Sequence, residues 1–247
     1  MNHFLNRFGR LFLLAALPAA VLTACGDDDP EPTTPAPDQG RVLAVHAAAN
    51  ANVPVKFLID DADKGQISYG QNTSYQALNT GSRTLKVNVA SDNRNAITQA
   101  LAVEKDKSYS LFAYPGSTAQ QVLPLLVSDD LTAPAAGKAK VRLVHLGQGV
   151  ASPVSLTQRQ AVGSTDLIGN VAFASASNFL EINTGTYNLD IAAGTPSLTI
   201  LSVGDGTGTG NGSKNYEAGK IYTILVRGIV GSFDTALQPK AVIIQHN

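Results

Sequence analysis

Leu85-Lys86-Val87-Asn88-Val89 alternates apolar and polar residues without a break, and Tyr187-Asn188-Leu189-Asp190-Ile191 does the same farther along. Successive side chains of a strand point to opposite faces, so this pattern marks strands with one face in a core and one in water. Val55, Phe57 and Ile59 share one such face, and Tyr222, Ile224 and Val226 share another. Turn residues separate the runs at Asp63-Lys64-Gly65, Thr80-Gly81, Thr184-Gly185 and Ala218-Gly219. Strands cut by turns roughly every ten residues predict an all-β protein of the sandwich type. No long stretch after residue 40 keeps a helical period.

Working outward, the chain repeats itself. Val42-Leu43-Ala44-Val45-His46 matches Val141-Arg142-Leu143-Val144-His145, and Pro54-Val55 matches Pro153-Val154. Tyr75 through Gly81 matches Phe179 through Gly185, Glu104 through Tyr109 matches Glu217 through Tyr222, and Pro124 corresponds to Pro239. The offset grows from 99 to 104, 113 and 115, so the second copy carries insertions, one of them at the glycine-rich run 204–213. Insertions belong in loops, and this run is expected to be mobile. The organisation read from the sequence is a first β-sandwich over 41–131, a linker over 132–138 and a second β-sandwich over 139–247. About 200 residues suffice for two modest cores.

In each copy a turn precedes a Tyr at the head of an apolar strand, Lys107-Ser108-Tyr109 and Lys220-Ile221-Tyr222. Immunoglobulin-like sandwiches use a Tyr there to hydrogen-bond back to the preceding corner, so Tyr109 and Tyr222 are expected to be structural. The expected fold is two tandem immunoglobulin-like β-sandwich domains. The Val-x-x-Val-His openings at His46 and His145, the turns at Gly81 and Gly185 and the Lys-x-Tyr corners together resemble the tandem domain of unknown function 4397 of bacterial envelope lipoproteins. The resemblance covers nearly all of 41–247, although Leu146-Gly147-Gln148 replaces the family's usual Ala-Ser-Pro after the second His. It implies a sandwich and no assigned activity.

The N-terminus reads as a lipoprotein signal peptide over 1–24. Arg7 and Arg10 precede an apolar stretch from Leu11 to Val21, which is short of the about 20 residues a spanning helix needs. Leu22-Thr23-Ala24-Cys25 resembles the lipobox of bacterial lipoproteins, in which the Cys is acylated. Cys25 is the only cysteine, so no internal disulfide can form and the one thiol falls at the lipidation position. Residues 25–40 read as a disordered tether, with four prolines, five acidic residues and no basic one. These features place the protein in the cell envelope, anchored to the outer membrane by lipid. Gly26 stands where Asp would retain a lipoprotein at the inner membrane, and Asp27-Asp28-Asp29 resembles an acidic surface-export signal.

Residues 41–247 hold 16 Lys and Arg against 14 Asp and Glu, scattered without a run. Nucleic acid requires a concentrated basic face, so it is not expected as a partner. His46 and His145 each end a first strand; neither has ligating residues at metal spacing beside it, and both are expected to bond to backbone. His246 and Asp129-Asp130 are expected to be exposed. Asp60-Asp61-Ala62-Asp63 fails the calcium-loop pattern, since Gly65 and Asn72 fall where ligands are needed, and reads as a hairpin turn. The glycine-rich run lacks a phosphate-binding fingerprint, and no nucleophile-elbow pentapeptide exists. The expectation is a non-enzymatic envelope module with no cofactor and no metal. It would act in surface binding, adhesion or scaffolding toward an unassigned protein or glycan. A glycan-binding accessory role stands second and a hydrolase last. The lack of Trp weighs against sugar stacking.

Overall fold

The computed structural model describes residues 36–118 and 120–247; the stretch read from the sequence as a signal peptide, Cys25, and most of the stretch read as a tether lie outside the described residues. Residues 37–247 form one compact unit. Within it are two sandwiches with separate cores.

The first sandwich contains β1 (Gln39–His46), β2 (Val55–Ile59), β3 (Ala62–Ile67), β4 (Gln76–Asn79), β5 (Gly81–Val89), β6 (Asn95–Val103), β7 (Ser108–Pro115) and β8 (Val122–Asp129). One sheet has the order β4-β1-β7-β8 and the other β3-β2-β5-β6. The second sandwich contains β9 (Lys138–His145), β10 (Val154–Arg159), β11 (Ser164–Val171), β12 (Ser175–Ala176), β13 (Leu180–Asn183), β14 (Gly185–Tyr187), β15 (Leu189–Ala193), β16 (Leu198–Ser202), β17 (Lys214–Tyr216), β18 (Ile221–Arg227) and β19 (Lys240–Gln245). Its sheets run β12-β9-β18-β19, with β13 also on β9, and β11-β10-β15-β16, with β14-β17 as a separate pair.

The repeat holds at the level of register. The parallel pair β1–β7 sets Val42 beside Tyr109, and β9–β18 sets Val141 beside Tyr222. Gly81 faces Val103 in the first copy as Gly185 faces Tyr216 in the second. Both glycines take positive φ, +100° and +139°, at the turn into the strand, where a side chain would be strained.

The large insertion departs from expectation. It does not lengthen a loop between strands; it splits a strand. β6 is continuous over nine residues, whereas its counterpart is broken into β16 and β17 with the glycine-rich run between them. That run is folded against the protein. Ile243 N–H donates to Gly206 C=O at 2.9 Å, and Asp205 Oδ1 accepts from Thr207 N and Thr207 Oγ1 at 2.9 and 2.7 Å. It straps the outer edge of β19, where unpaired backbone groups would otherwise invite another strand.

A third apolar cluster explains why β1 does not alternate in sequence over 42–45. Val42 and Ala44 point into the first core, while Leu43, Val45 and Ala47 pack with Phe112, Val144, Leu146 and Leu225 between the two sandwiches. Both faces of β1 are buried from Val42 onward, so that stretch is apolar up to His46, whereas β9 keeps Lys140 and Arg142, each paired with an acid of the first repeat. Across this seam the repeats run in the same sense. Lys140, early in β9, bonds Asp130 at the end of β8, and Gln148, just past β9, bonds Gly116 C=O, just past β7. The chain therefore enters at one end of the unit, and the loops 47–54, 116–121, 146–153 and 228–239 emerge at the other.

Candidate binding face at the loop end

The residues singled out from the sequence fall into three places. Tyr109 and Tyr222 close their corners: each hydroxyl accepts the backbone N–H five residues earlier, Glu104 at 3.2 Å and Glu217 at 3.3 Å. His46 is buried, and its Nε2–H donates to Val53 C=O at 3.0 Å, tying the β1–β2 loop to the strand. His145 is buried beside the edge of Phe173, with no partner on either ring nitrogen. Burial lowers the pKa of both histidines, so both are neutral near neutral pH. Asp60 and Asp61 form the β2–β3 hairpin turn, both at positive φ.

Two expectations are corrected at the seam. His246 and Asp129 are buried rather than exposed, because the opposite repeat covers them. Asp129 meets Arg142 Nη2 at 2.7 Å, with the two side chains 0% and 2% exposed. The Asp129 Oδ1 contact lies outside hydrogen-bond angles and is an ion pair alone. Tyr75 OH and Ser110 Oγ both donate to Asp129 Oδ2, at 2.6 and 2.7 Å. Since Tyr75 spends its proton there, His246 must donate through Nδ1–H to the Tyr75 oxygen, at 2.7 Å. His246 Nε2 then accepts from Thr223 Oγ1 at 2.7 Å, and Thr223 in turn accepts from Arg142 Nε at 2.7 Å. Phe179 stacks on the Arg142 guanidinium at 4.6 Å. Every polar bond serves another member of the set. Ser110 bonds Asp129 and not His246, so the nucleophile-to-base bond of a hydrolytic triad is missing. Asp130 is exposed, as expected, and the Thr132 hydroxyl and Lys140 ammonium hold its pKa down to about 2.

A 420 Å³ hollow lined by Arg41, Lys107, Asp129 and Asp130 lies at the end where the chain enters, and three further concavities lie at the other. A 160 Å³ cavity opens in the first repeat between the β1–β2 loop, the β5–β6 hairpin and the β7–β8 loop. A 510 Å³ cavity opens in the second repeat between the β9–β10 loop, β16 and the β18–β19 loop. These are equivalent places. Each has a β-bulge in its wall, at Ala96 between the pairs Val87–Ile97 and Asn88–Asn95, and at Ile200 between Ile191–Leu201 and Ala192–Thr199. Bulges re-aim a side chain beside a site. Between the two, on the seam, a 440 Å³ hollow is walled by Tyr114 and Leu123 on one side and Val150 and Phe173 on the other. All three concavities open at the loop end.

The twin cavities have diverged in chemistry. The first is lined by His46, Asn50, Asn52, Arg94 and Gln120 among valines. The second has no charged lining residue and carries Val150, Ile200, Val230 and Phe233, the last fully exposed. Neither cavity was legible from the sequence. The only signal was that the offset of 104 holds from Tyr75 through Ile97, which aligns Ala96 with Ile200. Among the described residues no group of three or more His, Cys, Asp or Glu is placed to hold a metal ion.

The fold and its register define a tandem β-sandwich protein with loops of both copies at one end. Residues 40–152 match the family described as domain of unknown function (DUF4397), and this part of the chain belongs to that family. The match takes in the whole first sandwich and continues through β9, the seam strand of the second. No curated protein matches the chain.

Proposed function

We propose that this protein is a non-catalytic, lipid-anchored module of the bacterial cell envelope, and that its loop end is a binding face for adhesion or scaffolding. One observation carries the reading: the 510 Å³ cavity, its smaller twin and the seam hollow between them open together at the end opposite the one where the chain enters the folded unit, while two hollows of 420 and 330 Å³ lie beside Arg41 and Lys107 at the entry end. Lipidation at Cys25 would attach the folded unit through the end at which its chain enters, leaving the loop end for a partner. Loops on a rigid scaffold are where sandwiches keep their binding residues. Protease treatment of intact cells tests the location. Loss of residues 41–247 is expected for surface display; protection until permeabilisation would move the module to the periplasm and end the adhesion reading. Cells lacking the protein are expected to lose adhesion to matrix or to other cells, and unchanged adhesion would also end it.

A second reading, a glycan-binding accessory lipoprotein, is favoured by the polar lining of the first cavity. A glycan array probed with the full chain tests it, and the absence of any bound glycan would dispose of it.

A further inference from the structure

We propose that the apolar patch at the loop end of the second repeat docks a second copy of this chain, with Phe233 of each copy seated in the 510 Å³ cavity of the other. The inference rests on the loop end being the binding face and names its partner. Phe233 stands fully exposed on the β18–β19 loop, at the rim of the cavity. That exposure does not come from a loose loop. Ser232 Oγ accepts from Asp234 N–H at 3.2 Å, Asp234 Oδ1 accepts from Ala236 N–H at 2.8 Å, and Gln238 Nε2 donates to Ser232 C=O at 3.1 Å. At the base, Ile229 N–H donates to Leu237 C=O at 2.7 Å and Val230 N–H to Gln148 C=O at 3.0 Å. The ring is thus presented at the rim by a loop already ordered, so docking it sacrifices little backbone freedom. The counterpart loop of the first repeat, 116–121, is shorter and has no large apolar residue.

The surroundings are apolar. Val150, Ile200 and Val230 line the cavity, and no charged residue does. Val230 is 54% exposed, and Leu198, two residues before Ile200 on the edge strand β16, is 64% exposed. Phe173 extends the patch, since the seam hollow it walls shares Gly149 and Val150 with this cavity. Phe233 offers about 200 Å² and the whole patch roughly 500 Å². Apolar patches of that size mark interaction sites. Two of them bury about 1,000 Å², short of the about 1,600 Å² of a standard interface, which sets a weak, reversible contact. What selects a second copy is that the patch holds both a projecting ring and a recess of matching character. A two-fold axis beside them sets each ring into the other's recess, the isologous arrangement of most dimers. A lipid chain would fill the recess and leave Phe233 in water, whereas a second copy covers both. Because the chain enters at the opposite end, the contact is head to head and would join copies anchored on facing surfaces.

Photo-crosslinking of the full-length protein in its own cells tests this, with benzoylphenylalanine in place of Phe233. A dimer-sized product is expected, with the crosslink mapping to residues 149–151, 200–201 or 230–239 of the other copy. Adding Ala151→Trp to the same chain fills the recess from an exposed lining position and should lower the yield about tenfold or more. Co-expressing that chain, which has a ring and no recess, with Phe233→Ser, which has a recess and no ring, should restore the product as a heterodimer. A misfolded variant gives no such rescue. Absence of the dimer-sized product, crosslinks to lipid or to a different protein, a yield untouched by Ala151→Trp, or no rescue on co-expression each overturns the proposal. If the second copy falls while Phe233→Ser abolishes adhesion, the binding face stands. If it falls and Phe233→Ser leaves adhesion intact, both fall.

Discussion

Arg142 stands where the first copy has Leu43, between Val141 and Leu143 in the middle of β9. That substitution was the one visible sign of the seam. An arginine between Val141 and Leu143 must find a partner or leave the core, and it finds Asp129 of the other repeat. The sequence reading placed Asp129 in water because two adjacent carboxylates are usually solvated, and because nothing local reveals a partner supplied by the other repeat. The pair is closed off from solvent, so removing either member leaves an unpaired buried charge. Arg142→Met or Asp129→Asn alone is expected to cost about 3–5 kcal/mol of stability in denaturant titration, and replacing both by apolar residues should recover much of that loss. His246 gives the seam a pH dependence. Burial, and then the Arg142 charge, lower its pKa from 6.5 to about 4. Between those values the unfolded chain binds the proton and the folded chain does not, so stability falls as pH drops through that window. The loss from this residue is roughly 3 kcal/mol by pH 4. His246→Asn should flatten the curve there, and an unchanged slope would contradict the assignment. Asp130 acts in a separate, lower window: its contribution is intact above the ordinary carboxylate pKa of 3.8 and is lost as pH falls toward about 2.

At the scale of elements, alternation in β5 and β15 and the repeated turns made the sandwich readable before any coordinates. The jump in offset from 104 to 113 located the insertion but could not show that it divides a strand. Composition misled there: glycine-rich segments are often mobile, whereas Gly204, Gly206 and Gly208 sit where a Cβ would meet a neighbour within 3 Å. A Cβ on Gly206, at φ +86°, would lie 2.5 Å from Ile243 Cδ1. Gly163, at φ +76°, has open space around it. Gly206→Ala is therefore expected to destabilise the protein by about 2 kcal/mol or more in denaturant titration, with Gly163→Ala confined to the cost of its backbone angle, about 1 kcal/mol. Equal effects would mean that the strap does not press on β19. The bulges at Ala96 and Ile200 were not legible at all, since a bulge inserts a residue without changing the composition of the strand.

At the scale of the molecule, the two copies are joined by a third core as apolar as their own. Separated, each would expose the outer face of its seam sheet, with Leu43, Val45 and Phe112 on one side and Val144, Leu146 and Leu225 on the other. Burying such side chains is worth about 1.5–3 kcal/mol each. The chain is expected to unfold in a single calorimetric transition, and residues 37–131 alone should self-associate. Two well-resolved transitions would show that the seam is weak. The same-sense packing also bears on how two occupants of the loop end are related. Tandem modules on flexible linkers sample many separations and gain avidity by effective concentration. Here the spacing between the polar recess of the first repeat and the apolar one of the second is set by packed strands. A bivalent partner either matches that one distance and gains the full product of two affinities, or misses it and gains nothing.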